Sequence, residues 1–351
     1  MVDRKTVVVG MSGGVDSSVA ALLLLEQGYN VVGVTMQMWQ EDAPGSCGGS
    51  AAVDDARRVA DMLGIPHQVI DFKDIFREKV IDYFAAEYEA GRTPNPCIAC
   101  NRFVKWEALL AHSLSIGADY IATGHYARVY RDEATGRFTL MQSPGGKDQS
   151  YALYNLTQFQ LAHTLMPLWS MTKDEVRTCA AQHNLSVAHK PDSQEICFVP
   201  DNDYGGFVES HTGRPGHSGF FVDTAGNRLG MHKGILHYTI GQRKGLGAFG
   251  KRVFVSEIRA DANEVVLGDN DALFRTRLTA NSVNFMAVAP FDGPLRAEGK
   301  IRYNQTPSAC TIRLDGSTLE CEFDTPQRAI TPGQAAVFYR NGALLCGGTI
   351  R

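Results

Sequence analysis

The segment VVVGMSGGVDSS, Val7 to Ser18, breaks a strongly apolar run with two glycines and a cluster of hydroxyl and acidic side chains. Val7 to Gly10 reads as a strand buried on both faces, and Asp16 to Gln27, closed by Gly28, reads as a helix, so the chain must contain a strand-turn-helix unit. Glycines let a backbone approach an anion closely, and successive N–H groups at a helix N-terminus hold phosphate. No lysine follows the glycines as in a Walker A loop, and the spacing is not G-x-G-x-x-G. Instead the hydroxyls of Ser12, Ser17 and Ser18 stand beside the amides, and the Asp16 carboxylate is suited to Mg²⁺. An ordinary βα turn accounts for Gly-Gly alone, but not for the whole string.

At 351 residues, and at roughly 100 to 200 residues per domain, two or three domains are expected. Strand and helix signals alternate over the first 120 residues. Strands fall at Val31 to Met38, His67 to Ile70 and near Tyr120 to Gly124, and helices at Ala51 to Leu63, about Asp74 to Ala90 and about Asn101 to Ile116. This alternation implies an α/β, doubly wound parallel sheet. Two β-rich runs around ATG, ARVYRDE and RFTLMQS, read as a hairpin, and Thr172 with Glu175 forms a capping box. From about Asp201 helical periodicity nearly disappears and short β runs alternate with turns, the pattern of small barrels or sandwiches. Boundaries are placed near 200 and 275, giving units 1–200, 201–274 and 275–351.

The formal charge of −4 argues mildly against a nucleic-acid partner. A local basic stretch qualifies it: Arg228, Lys233, Arg243, Lys244, Lys251, Arg252 and Arg259 accompany a single acid, Glu257, a density that suits a phosphate backbone as well as a solvated face. The N-terminus has no apolar signal core and no run of about 18 apolar residues occurs, so the expectation is a cytoplasmic protein without a membrane span. Eight cysteines are too few for a disulfide scaffold. Cys47, Cys179, Cys310, Cys321 and Cys346 are read as packing residues.

Cys97 and Cys100 are different, because GRTPNPCIACN places them three apart in a Pro-restrained loop opening a helix, and Cys197 follows in DSQEICF. A thiol near a helix N-terminus is favoured as thiolate. The set is open to a nucleophilic or redox pair, to half of a zinc site completed by His125, and to an iron–sulfur site. His125 follows Gly124 at the end of a parallel strand, the edge where doubly wound sheets bind ligands.

The string SGGVDSS resembles the PP-loop of the ATP pyrophosphatase superfamily. Together with GRTPNPCIACN, ATGHYAR, KDQSYAL, DSQEICF and GQRKGLG in this order, it is similar to the tRNA-specific 2-thiouridylase family, MnmA (TrmU). The resemblance implies a PP-loop catalytic domain, a small central tRNA-contacting domain and a C-terminal β-barrel. It implies ATP-dependent replacement of the C2 oxygen of the wobble uridine by sulfur in the tRNAs for Lys, Glu and Gln, with Mg²⁺ and a persulfide sulfur-donor protein. It assigns ATP to Gly10, Met11, Ser12, Gly13, Gly14, Val15, Asp16, Ser17, Met36 and Gly124, and catalysis to Asp16, Cys100 and Cys197. Cys197 would carry the persulfide and end in a disulfide with Cys100. Asn95, Pro96 and Cys97 would border the target base, His125, Lys147, Asp148 and Gln149 would touch tRNA, and Arg302, Tyr303 and Gln334 would do so from the barrel. Arg243 and Lys244 are expected on phosphates. Many family members carry Asp at the position of Cys97, so an iron–sulfur site on Cys97, Cys100 and Cys197 stands as the alternative to the persulfide.

Overall fold

The computed structural model describes residues 4–39, 48–191, 196–199 and 201–351; Cys47 lies outside them. Strand β1 (Thr6–Gly10) leads into helix α1 (Val15–Glu26), followed by β2 (Asn30–Gln37), α2 (Ser50–Leu63), β3 (His67–Asp71) and β4 (Tyr120–Ala122). A hairpin of β5 (Ala127–Arg131) and β6 (Phe138–Gln142) comes next, and the short β7 (Thr164–Leu165) completes a parallel sheet in the order β3-β2-β1-β4-β7. Val7 and Val9 pack on one side with Val19, Leu24 and Val59 from α1 and α2, while Val8 packs on the other with Phe84, Trp106 and Leu109. Both faces of β1 are therefore buried, which is why its sequence is continuously apolar rather than alternating.

Two helices cover the second face. One runs over 73–89 and the other over 96–115, each with a wide π turn inside it, at Arg77–Asp82 and Cys100–Leu109. The second starts five residues earlier than its periodicity indicates, because Pro96 occupies the first helical turn and the Asn95 side chain caps it. Cys97 and Cys100 accordingly lie on the helix rather than in a loop before it.

Beyond residue 201 the near-absence of helix holds except at Tyr204–Thr212, a helix whose N-terminus is capped by Asp203. Its two glycines hide it from a propensity reading, yet a Cβ on Gly205 would lie 2.0 Å from His237 Nδ1, so close packing demands the glycine. Strands β8 (Gly219–Asp223), β9 (Arg228–His232), β10 (Phe254–Arg259) and β11 (Glu264–Gly268) form a sheet in the order β10-β11-β8-β9 around Phe221, Val255 and Val265.

The C-terminal unit contains β12 (Phe274–Phe285), β13 (Leu295–Lys300), β14 (Ser308–Asp315), β15 (Thr318–Arg328), β16 (Ala335–Arg340) and β17 (Ala343–Ile350). They pair in the order β12-β15-β14-β13-β16-β17, and β12 pairs again with β17, closing a six-stranded antiparallel barrel. The expected fold class is thus the one observed. The β5–β6 hairpin forms as expected, but it also joins the barrel, with β6 pairing β17 through Met141 and Ala343. No helix of the described residues is long and apolar enough to cross a membrane.

Arg137 locks that hairpin in place. Its Nε donates to the Met286 carbonyl at 2.7 Å and its Nη2 to the Phe285 carbonyl at 2.9 Å. Replacing Arg137 with Met leaves the Phe285 carbonyl without its charged donor and the Met286 carbonyl with only the longer contact from Gln158 Nε2, at 3.3 Å, a loss of about 1–3 kcal/mol. The expected outcome is a Tm lowered by several degrees in a thermal melt; an unchanged Tm would contradict this role for the hairpin.

Candidate active site

The sheet order places the C-terminal ends of β1 and β4 side by side, and the loop after each forms one wall of the site. Gly13 adopts φ +68°, and a Cβ there would lie 2.3 Å from the Ala52 carbonyl oxygen. Gly124 approaches α1 as closely, since its Cβ would lie 2.6 Å from the Asp16 carbonyl carbon and 2.7 Å from the Ser17 nitrogen. Ser17 Oγ accepts from the Ser12 amide at 3.1 Å and lies 3.2 Å from Ser12 Oγ, while Ser18 Oγ donates to the Gly14 carbonyl at 2.9 Å. The loop is shaped by its own hydroxyls before any ligand arrives. Gly10, Met11, Gly14 and Val15 complete it, and Met11 is anchored through its amide to the Val34 carbonyl at 2.8 Å. Met36, buried on β2, packs against Gly10.

Asp16 is the carboxylate of this mouth, and cations surround it. Lys173 Nζ and the Tyr126 hydroxyl both donate to Oδ1 at 2.7 Å, and Lys147 Nζ stands 3.6 Å from Oδ2. A third lysine, Lys190, donates to the Gly13 carbonyl at 3.0 Å and pairs with Asp55. Sequence reasoning found Lys147 but missed Lys173, Lys190 and Tyr126. Only the capping box that precedes Lys173 marks its helix start, and nothing local marks its partner. Three ammonium groups against Asp16 and Asp55 leave the loop mouth net positive, as a polyphosphate requires.

From Lys147 the chain runs directly to the second half of the site. Asp148 turns inward, accepting from the Ser143 and Ser150 amides at 3.2 Å and from Ser150 Oγ at 2.8 Å. Gln149 Oε1 accepts from the Tyr126 amide at 3.0 Å, and the Gln149 side chain also approaches Tyr303 of the barrel. Burial raises the Tyr303 pKa, and the Cys97 thiol is close enough to act on it. His125 Nδ1 lies 2.8 Å from Thr123 Oγ1 and its ring 5.6 Å from Trp106. Desolvation, reinforced by Lys105, holds its pKa well below 6.5, so it is neutral at pH 7.

The cysteine helix is fixed at its start by Asn95, whose Oδ1 accepts from the Cys97 and Ile98 amides at 3.1 and 3.4 Å. The barrel reaches this turn as well: Gln334 Nε2 donates to the carbonyls of Thr93 at 2.8 Å and Pro94 at 3.3 Å. Pro96 is buried and Cys97 exposed. Cys100 Sγ contacts Met38 Sδ at 3.8 Å, and Cys100 and Cys197 pack against one apolar core. Cys97, Cys100 and Cys197 are thiols here. Among the described residues no three His, Cys, Asp or Glu side chains converge on a position for a single metal ion.

The basic stretch is divided by the fold. Arg259 pairs with Glu257 and Glu264, and Arg228 lies 3.9 Å over the Phe220 ring. Arg243 and Lys244 are exposed, in a loop where Gly241, Gly245, Gly247 and Gly250 all have positive φ. Arg302 donates to the Arg328 carbonyl.

Residues 5–201 match a family model described as tRNA methyl transferase HUP domain, 205–269 one described as tRNA methyl transferase PRC-barrel domain, and 275–350 one described as Aminomethyltransferase beta-barrel domain. The tRNA-specific 2-thiouridylase MnmA of Lachnoclostridium phytofermentans is 61% identical over 355 residues, covering 99% of this chain and 99% of that one. The protein of the same name from Clostridioides difficile is 54% identical over 354 residues, covering 99% and 98%. A solved structure of U34-tRNA thiolase NcsA from Methanococcus maripaludis, with its iron–sulfur cluster, is 19% identical over 59% of this chain and 67% of that chain, with a TM-score of 0.36, a likeness that carries no argument. The domain labels speak of methyl transfer and the relatives of thiolation; identity across the full length decides for the relatives.

A methyl group on Gly13 forces the loop off both its φ and the Ala52 backbone. Gly13→Ala is expected to weaken binding of a fluorescent ATP analogue at least about tenfold, and wild-type affinity would contradict the loop's assignment.

Proposed function

The chain belongs to the tRNA-specific 2-thiouridylase family, and from that premise we propose that it is a tRNA-uridine 2-sulfurtransferase acting on the wobble uridine, position 34, of the tRNAs for Lys, Glu and Gln. MgATP is the co-substrate, bound by residues 10–17 with Met36 and Gly124. The observation that carries this reading is the run from Lys147 to Gln149, with Lys147 Nζ 3.6 Å from Asp16 of the phosphate loop and Gln149 between Tyr126 and Tyr303, on which Cys97 also acts.

The C2 oxygen of the uridine attacks the α-phosphorus of ATP, pyrophosphate leaves, and AMP remains on the oxygen as a leaving group. Lys147, Lys173 and Lys190 neutralise the departing phosphates. Cys197 carries the incoming sulfur as a persulfide. The Cys100 thiolate attacks the Cys197 sulfur, and the S–S bond to the terminal sulfur breaks, that sulfur leaving with the electron pair. It adds to C2 and expels AMP, so the products are 2-thiouridine, AMP, pyrophosphate and a Cys100–Cys197 disulfide. A thiol reductant supplies two electrons to reopen the disulfide, and a persulfide donor protein recharges Cys197. His125, neutral and half-buried, brings no charge to this region. Residues 1–200 do the chemistry, the exposed Arg243 and Lys244 of the unit 201–274 grip phosphates, and 275–351 presents Arg302 and Tyr303. The reaction is placed in the cytoplasm.

Cys100→Ser and Cys197→Ser are each expected to reduce thiolation by at least about a thousandfold while AMP is still released in the presence of tRNA. Thiolated nucleoside and AMP are quantified from the same reaction. A Cys100→Ser enzyme with full thiolation would contradict the disulfide step.

A further inference from the structure

Lys300, at the end of β13, is a buried cation that the chemistry above does not use. Only 6% of its surface is exposed, its side chain has no hydrogen bond or ion pair among the described residues, and its ammonium is not sealed from solvent. Its ammonium lies over two aromatic rings, 5.6 Å from Tyr151 and 5.9 Å from Tyr303. Two residues on, Arg302 keeps a buried Nε without a partner. Desolvation lowers the pKa of both groups. The acid that acts on Lys300 is Asp148, whose carboxylate already accepts from Ser143 and Ser150.

A largely desolvated ammonium without a carboxylate partner destabilises a fold, and cation–π contacts recover only part of that loss. The chain keeps the charge at one place, beneath the tyrosine that Gln149 and Cys97 flank. We propose that Lys300, together with Arg302, holds a backbone phosphate of the RNA nucleotide presented to the cysteine helix. This rests on the thiolation reading above. The ATP phosphates have their own cations in Lys147, Lys173 and Lys190, gathered by Asp16, Asp55 and the Gly13 carbonyl. An aromatic ring bordered by cations that have no carboxylate partner is the arrangement that takes an unstacked nucleotide, ring to base and cation to phosphate.

The test is tRNA affinity across a salt series, with thermal melts of the same proteins. Lys300→Met is expected to weaken binding about tenfold and to make the log–log salt slope shallower by about 0.7 to 0.9, with a Tm equal to or above wild type. Lys300→Arg should keep the wild-type slope, and Lys300→Gln repeats the charge removal should the Met variant not fold. A charge-removing variant with the wild-type slope, with or without a lowered Tm, would make Lys300 a structural brace and overturn the assignment. A wild-type protein that bound no tRNA would overturn the functional reading itself, whereas a slope lost in Lys300→Met and kept in Lys300→Arg supports the phosphate site.

Discussion

The Thr93 peptide is held from both ends by the barrel. Its N–H donates to the Pro332 carbonyl at 2.9 Å, its carbonyl accepts from Gln334 at 2.8 Å, and its hydroxyl donates to Thr239 of the middle unit at 3.3 Å. Gly333 permits this approach, because its φ is +91° and a Cβ would lie 2.9 Å from the Thr93 nitrogen. Two residues later Asn95 caps the cysteine helix. The direction in which Cys97 and Cys100 are carried is therefore set by three units at once, and a helix anchored in this way needs little reorganisation to meet a ligand.

The second half of the site is organised electrostatically. Asp16 gathers Lys147, Lys173 and Tyr126, and Lys190 is drawn in by Asp55 and the Gly13 carbonyl. These cations are positioned before nucleotide binds, so their field at the phosphate loop is present without the cost of ordering flexible side chains during reaction. Gln149 then stands between the two halves, accepting from the Tyr126 amide and approaching Tyr303.

Features that depend on local sequence were legible. The buried strand, the glycine turn and α1 declare themselves within twenty residues, and the closed barrel was foreshadowed by short β runs between turn signals. Features that depend on distant partners were not. Lys173 meets Asp16 across 157 residues, and Lys300 has significance only once Tyr151 lies against it. Gly205 lowers helix propensity over Tyr204–Thr212 but is required by the His237 ring, a tertiary demand invisible in the pattern. The helix start at Pro96 was hidden because a cysteine pair flanked by prolines resembles a loop, whereas the Asn95 cap and a proline in the first turn in fact begin the helix. Gln334 and Asp148, expected at RNA, have side chains engaged with the protein's own backbone in this structure.

The most direct measurement incubates the anaerobically purified protein with MgATP, unmodified tRNA for Glu and a persulfide source, and determines the mass of the nucleoside at position 34. The account predicts 2-thiouridine, formed with one AMP and one pyrophosphate per sulfur transferred. AMP and pyrophosphate released with the uridine left unthiolated would contradict it.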